Sequence, residues 1–253
     1  MLKLYHHKMS TCSQKVRLAL AEKALAFEEH LIALEKDEQL SEWYLRINPN
    51  GVVPTLEHDG NLVVDSTVIT EYLEDVFPET PLRPRDPVRC ATMRAWRQFI
   101  DEVPTHAIRY PTFNAVIARH YAGMSEEEFY RLSDRRPLRK HLFLKMGRSG
   151  FRQQEIDNAM EQLRRTLMRM DKALQHGPWL AGEMYTLADI SITPTIVRLE
   201  DLGMAGMWSA LPRIADWYGR IQARPAFPVA FMPGARDIVA YGLRQPARTG
   251  ARN

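Results

Sequence analysis

Four prolines fall within ten residues, at Pro78, Pro81, Pro84 and Pro87. A run of this kind reads as a semi-rigid, extended linker. It divides the 253-residue chain into two parts with different hydrophobic patterns. Before it, strand-like runs alternate with helical spacing. After it, only helical spacing occurs. The expected organisation is a first domain over residues 1–80, a linker over 81–87 and a second domain over 88–253. Apolar residues make up 45% of the chain, enough for a full core without disulfide or metal staples.

In the first part, residues 2–5 form a strand candidate. Residues 11–24 have helical spacing, with Val16, Leu20 and Ala24 on one face. Residues 27–33 are strand-like. A helix over 37–47 must stop near Asn48, because Pro49 disfavours helical geometry in the residue before it. Residues 54–57 and 62–64 flank His58-Asp59-Gly60-Asn61, and Asp-Gly between apolar runs predicts a hairpin. Residues 66–77 read as a helix capped by Ser66. The order β-α-β-α-β-β-α gives a small α/β unit with a mixed sheet.

Beyond the linker, helices are expected over 88–103 and on toward Tyr110. Another opens at Ser125, with Glu126, Glu127 and Glu128 in its first turn. A helix over 153–175 carries Ile156, Met160, Leu163, Leu167, Met170 and Leu174 three or four apart. Thr186-Leu187-Ala188-Asp189 is a capping box with Asp in place of Glu, opening an apolar helix over 190–202. A last helix spans 214–223.

Lys plus Arg minus Asp plus Glu is 34 − 31 = +3, which gives no electrostatic case for a nucleic-acid partner. The basic excess gathers at 131–152 and after Arg236. The two cysteines, Cys12 and Cys90, have no CxxC spacing, so neither a disulfide framework nor a metal site is expected. The N-terminus has no signal-peptide pattern, and no run of 18 apolar residues occurs. The chain therefore reads as soluble and cytoplasmic, without a membrane partner.

Three stretches could carry chemistry. In Ser10-Thr11-Cys12-Ser13, three hydroxyls and a thiol crowd a strand-to-helix junction. Helix capping alone would account for the hydroxyls. In Gly51-Val52-Val53-Pro54-Thr55, the proline gives no N–H to a sheet. A cis bond there would turn the backbone of Val53 toward a ligand, although cis is the minority form of X-Pro bonds. In Val64-Asp65-Ser66-Thr67, a helix N-terminus offers N–H donors to a carboxylate, and Asp65 offers a partner to an ammonium. Capping explains this stretch equally well.

Taken in order, STCSQKVR (10–17), NPNGVVPTL (48–56), VDSTVITEYLED (64–75) and YTLADISITP (185–194) resemble the glutathione transferase family. The resemblance spans nearly the whole chain. It implies the fold of that family, an α/β thioredoxin-like N-terminal domain followed by an all-α helical domain. The first motif is similar to the serine-type zeta class. Residues 66–96 and 123–151 are more similar to the bacterial β-aryl-etherase branch, whose members use glutathione to cleave lignin-derived aryl ethers. The basic segment 131–152, an insertion relative to shorter transferases, fits that branch.

The resemblance implies glutathione as cosubstrate, a hydrophobic electrophile in a cleft between the halves, and a homodimer. Val53, before a cis Pro54, would pair with the cysteinyl backbone of glutathione. Asp65 and Ser66 would hold its γ-glutamyl ammonium and carboxylate, and Gln39 its glycyl carboxylate. Ser10 falls at the thiolate-stabilising serine of zeta-type enzymes. Cys12 falls at the cysteine of beta-type enzymes that can bond to glutathione. Ser13 matches a serine of the etherase branch, and the order of preference is Ser10, Cys12, Ser13. Thr186 and Asp189 would form the structural capping box of the helical half. The second substrate would meet Lys8, Met9, Arg109, Tyr110, Phe113 and the C-terminal tail. His6 and His7 receive no role, since the sequence offers them no partner.

Two other functions remain open at this level. One is glutathione-dependent thiol–disulfide exchange through Cys12, without a resolving cysteine because Ser13 and Lys15 occupy the nearby positions. The other is a non-catalytic glutathione-binding protein on the same fold.

Overall fold

The computed structural model describes residues 1–244; the end of the expected tail, 245–253, lies outside the described residues. The chain begins with strand β1 (Leu2–His6), helix α1 (Thr11–Glu22) and strand β2 (Glu28–Leu31). Strands β1 and β2 run parallel, and α1 makes the crossover that a parallel pair requires. Helix α2 (Glu42–Ile47) leads to strands β3 (Thr55–His58) and β4 (Asn61–Val64) and helix α3 (Ser66–Val76). The sheet order is β2-β1-β3-β4, with the last two pairs antiparallel. Asp59 and Gly60 both have positive φ, 49° and 82°, as the tight hairpin turn joining β3 to β4 demands.

Three local expectations need correction. The helix over 37–47 is replaced by 3₁₀ turns at Leu34–Lys36 and Glu38–Leu40, followed by α2. Asp37, at φ 55°, is left-handed and ends the first turn; Ser41 restarts the chain as a cap, accepting from the Tyr44 N–H at 3.4 Å. Helix α1 stops before Ala24, whose φ of 53° is incompatible with continuing it. The cap of α3 is Asp65 rather than Ser66. Asp65 Oδ1 accepts from the N–H groups of Thr67 (2.8 Å) and Val68 (3.2 Å), while Ser66 is already the first helical residue.

The remainder is helical. Helices α4 (Pro87–Glu102), α5 (Pro104–Ala107) and α6 (Arg109–Thr112) replace the single helix expected toward Tyr110. Pro104 has no N–H to continue α4, so the chain kinks there. A π turn at Phe113–Ile117 and a 3₁₀ turn at Ala118–His120 follow. Then come α7 (Glu126–Asp134), α8 (Lys140–Met146), α9 (Gln153–Ala173), α10 (Leu187–Asp201), α11 (Pro212–Gln222), α12 (Ala226–Ala230) and α13 (Ile238–Arg244). Helix α10 is buried from Leu187 to Leu199. It packs against α1, so one apolar core joins Leu4, Leu20, Leu56 and Leu73 to Met93, Leu163, Ile192 and Trp217.

The proline-rich segment is fastened to both halves. Glu74, 3% exposed, accepts from the Leu82 N–H at 3.1 and 3.0 Å and pairs with Lys23 Nζ at 2.7 Å. Lys23 Nζ also donates to the carbonyls of Phe77 and Thr80, each at 2.8 Å. The Leu187 N–H donates to Leu82 O at 2.8 Å, tying the segment to the start of α10. Glu74→Ala strands the buried Lys23 charge, which costs about 3–5 kcal/mol. A urea titration is expected to show a lower midpoint with an unchanged slope.

Candidate active site

The turn between β1 and α1 is built from below by buried cations. Arg17, 1% exposed, donates from Nη2 to Lys8 O at 2.7 Å, from Nη1 to His7 O at 3.4 Å, and from Nε to Ala230 O at 2.8 Å. Arg198, on α10 and 3% exposed, donates to Met9 O at 2.5 Å. Gln14 fixes the same turn to Ala235 O at 2.9 Å. Charge-assisted bonds are the strong ones, and three consecutive carbonyls, those of His7, Lys8 and Met9, each thereby receive a guanidinium donor. Ser10 emerges with φ −70° and ψ 123°, an N-cap geometry, and its Oγ accepts from the Ser13 N–H at 3.3 Å.

The two histidines beside this turn are neutral at neutral pH. Burial, aided by the Arg17 charge, pushes His6 down to about 3. Arg17 Nη1 therefore donates to His6 Nδ1 (3.0 Å), and His6 Nε2–H donates to Glu29 Oε1 (3.1 Å) as a hydrogen bond rather than an ion pair. His7 is pushed down to about 4, chiefly by burial; Glu35 opposes the shift, and Arg17 and Arg198 add to it.

A cavity lies above the turn. One wall is His7, Met9, Ser10, Thr11 and Cys12; a second is Gly51, Val52 and Val53, with Leu34, Glu35, Asp37 and Gln39 beside it. The helical half supplies Ile108, Arg109, Thr112, Phe113, Val116 and Tyr121, then Arg136, Arg139 and Phe143, with Ile238 from the C-terminal segment. Among the described residues the lining includes four arginines, Arg109, Arg136, Arg139 and Arg198, against two carboxylates, Glu35 and Asp37. The walls are otherwise largely apolar.

Among the expected residues, Ser10 and Cys12 share this wall, and both are half-buried. Ser13 is fully buried; its Oγ accepts from the His7 N–H at 3.4 Å, and it lies outside the lining. The Val53–Pro54 bond is cis. Its loop is held by Tyr44 Oη donating to Val52 O at 2.8 Å and by Asn48 Nδ2 donating to Val52 O and Thr55 Oγ1, each at 2.9 Å. Gln39 lines the cavity, and its buried Oε1 has no hydrogen-bond partner among the described residues. Asp65 and Ser66 are not part of the lining: Asp65 is exposed and capping α3, and Ser66 is buried at its first turn. Met9, Arg109 and Phe113 line the cavity. Tyr110 instead packs at a tilt against Phe151, ring centres 4.3 Å apart, and Lys8 is outside the lining.

Thr186 and Asp189 lie apart from the cavity. Asp189 is fully buried; Oδ1 accepts from the Leu180 N–H (3.0 Å) and Trp217 Nε1 (2.9 Å), and Oδ2 from Thr186 N–H (3.1 Å) and Oγ1 (3.3 Å). Thr186 Oγ1 in turn accepts from the Ala188 N–H at 3.2 Å.

Of the arginines at this site only Arg109 was foreseen in the sequence; Arg17, Arg136, Arg139 and Arg198 were not. Arg17 stands inside the STCSQKVR motif but reads as an ordinary helix residue. Arg136 and Arg139 were visible only as part of a basic segment. In the fold, Arg136 donates to Asp37 Oδ1 (3.0 Å) and Tyr121 Oη (2.8 Å), with its guanidinium 4.1 Å from the centre of the Phe143 ring. No group of three or more His, Cys, Asp or Glu is placed to hold a metal among the described residues. None of the described helices is long and apolar enough to cross a membrane.

Comparison with known proteins agrees with this geometry. The family models of the N-terminal and C-terminal domains of glutathione S-transferase match residues 9–76 and 153–220. Protein LigF of Sphingobium sp. is 35% identical over 246 residues, covering 93% of this chain and 95% of that protein. The tetrachloro-p-hydroquinone reductive dehalogenase of Sphingobium chlorophenolicum is 29% identical, covering 90% and 94%. The crystal structure of β-etherase LigF from Sphingobium sp. strain SYK-6 superposes with a TM-score of 0.80 over 91% of this chain and 98% of that one, at 35% identity. On these matches, and on the mixed four-stranded sheet joined to a helical half, the chain belongs to the glutathione S-transferase family.

Proposed function

We propose that this protein binds glutathione against its N-terminal half, stabilises the thiolate, and presents it to a hydrophobic electrophile held by the helical half, with β-aryl ethers as the substrate class. The observation that carries this reading is the joint placement of Ser10 and Cys12 in one cavity with the Val53 loop on one side and the helical half on the other. The likeness to LigF directs it toward ether cleavage.

A free thiol with a pKa of about 8.5 is only about 3% ionised at neutral pH; lowering it by about two units takes roughly 2.7 kcal/mol of selective thiolate stabilisation. The Ser10 hydroxyl has the means. Its oxygen is engaged as a cap, but its proton is free to donate to sulfur. The first-turn N–H groups of α1 add to the same field. Val53 offers its backbone to the cysteinyl unit, and Gln39 its amide to the glycyl carboxylate. Asp65 and Ser66 take the γ-glutamyl end just beyond the cavity wall, with Asp65 serving as cap and ammonium partner together. The thiolate attacks the ether carbon: the C–S bond forms, the C–O bond breaks, and its electron pair leaves on the phenolate oxygen. The working form is a homodimer in the reducing cytoplasm, where both cysteines stay free thiols.

Incubation with glutathione and a β-aryl ether is expected to release phenol and glutathione thioether in equal amounts. Cys12 supports a second reading, thiol–disulfide exchange, because its thiol lines the same cavity. The readings separate on Cys12→Ala. Conjugation is expected to stay within about twofold of the parent protein, since no bond to Cys12 Sγ forms in thiolate attack. Loss of turnover in Cys12→Ala, with turnover kept in Ser10→Ala, would establish the exchange mechanism instead.

A further inference from the structure

Two of the four cavity arginines have no work inside the protein. Arg136 donates to Asp37 and Tyr121, and Arg198 to the Met9 carbonyl, although each also keeps a buried Nε without a partner among the described residues. Arg109, at the start of α6, and Arg139, just before α8, line the cavity with neither an ion pair nor a hydrogen-bond acceptor among the described residues. Arg109 Nη1 is buried and unsatisfied. The two are close enough to oppose each other's charge: Arg139 is pushed down to about 10, first by burial and then by Arg109, with Cys12 and Asp65 pulling the other way. His106 beside them is held below its ordinary value, first by burial and then by the same two charges. Like charges kept together with donors unfilled are a site for an anion.

The position says which anion. The proposed glutathione contacts in this cavity all come from the N-terminal half, whereas Arg109 and Arg139 line it from the helical half, with Arg139 near enough to Cys12 for their charges to interact. We propose that Arg109 and Arg139 form a dicationic clamp for the negative charge that develops on the leaving oxygen when the glutathione thiolate displaces a phenolate, which rests on the transferase reading above. The step needs no further reactant. The C–O electron pair moves to oxygen beside the guanidiniums, and the phenolate takes its proton from water after release. Selectivity follows: the clamp matters most for poor leaving groups, whose oxygen carries the most charge at the transition state.

The test is a series of β-aryl ethers differing in phenol acidity, turned over by the parent protein, Arg109→Met, Arg139→Met and Arg139→Lys. For methoxyphenol leaving groups the Met variants are expected to lose about 100-fold in kcat/KM, for nitrophenol about tenfold or less, with the glutathione KM within about twofold. Arg139→Lys is expected to recover most of the loss. An equal loss across the series would overturn the proposal, as would a flat series with a glutathione KM raised about tenfold, which would assign the pair to glutathione. A binding measurement stands apart from turnover. With S-methylglutathione present, the parent protein is expected to bind 4-nitrophenolate at least about tenfold tighter than neutral 4-nitroanisole, and Arg109→Met to abolish the difference. Equal binding of the two by the parent protein would overturn the clamp even if no ether were cleaved; tight phenolate binding without ether cleavage would instead overturn the substrate class and leave the clamp.

Discussion

Ser10→Ala is expected to slow glutathione conjugation by up to about 25-fold at neutral pH, the fall in thiolate fraction as the bound thiol returns from a pKa of about 6.5 to about 8.5. The loss is expected to shrink as pH rises, because above the pKa of the bound thiol both proteins hold thiolate. The rate profile of the variant should therefore shift its acidic limb upward by one to two units, about 1.4 kcal/mol for each. Ser10 is also the cap of α1, accepting from the Ser13 N–H. Its loss as a cap costs about 1 kcal/mol of stability. Ser10→Asp separates the two roles. Aspartate caps as well as serine but brings a negative charge and no proton. That variant is expected to unfold like the parent protein and still conjugate slowly. Full activity in Ser10→Asp would show that capping alone is what Ser10 contributes.

A large stability effect is expected at Asp189. Its carboxylate receives four donors: two backbone N–H groups, an indole N–H and a hydroxyl. Asp189→Asn turns an amide NH₂ toward donors that need an acceptor, costing about 3 kcal/mol, and Asp189→Ala leaves them all unmet at a higher cost. Thermal unfolding at neutral pH reads the difference. The pH dependence has a definite sign. Burial pushes Asp189 up to about 6, above the 3.8 of an exposed aspartate. The folded protein then holds more proton than the unfolded chain between those values, so this group's contribution falls as pH rises through that window. Its ionisation at neutral pH is tolerated because the four donors offset it. In Asp189→Asn that slope should vanish between 3.8 and about 6, even though the variant is less stable throughout.

Much of the fold was legible in the sequence because its signals are local. Asp59-Gly60 can only be a tight turn between β3 and β4, and the alternation before the proline run differs plainly from the helical spacing after it. Ser10, Cys12 and Val53 were legible as neighbours because their motifs occur in a familiar order, and Gln39, outside those motifs, only through the family resemblance; the cavity is lined by all four. What failed to show was long-range. Arg17 joins α1 to α12 through Ala230 O, and Arg198 reaches across 189 residues to Met9 O. No periodicity encodes such pairs. Helix α1 is buried from Ser13 to Leu20, polar side chains included, so an amphipathic pattern could not tell Arg17 from a solvent-facing arginine. The segment 131–152 read as a charge run. Only packing of Arg136 and Phe143 against Tyr121 shows that it forms a wall of the cavity.

The central claim is that this cavity lowers the pKa of a bound glutathione thiol. Ultraviolet thiolate absorbance, titrated against pH with glutathione saturating the Cys12→Ala protein, measures it directly and free of the protein's own cavity thiol. The expected midpoint lies about two units below that of free glutathione and returns toward the free value when Ser10→Ala is added. A midpoint equal to that of free glutathione, with binding intact, would contradict it.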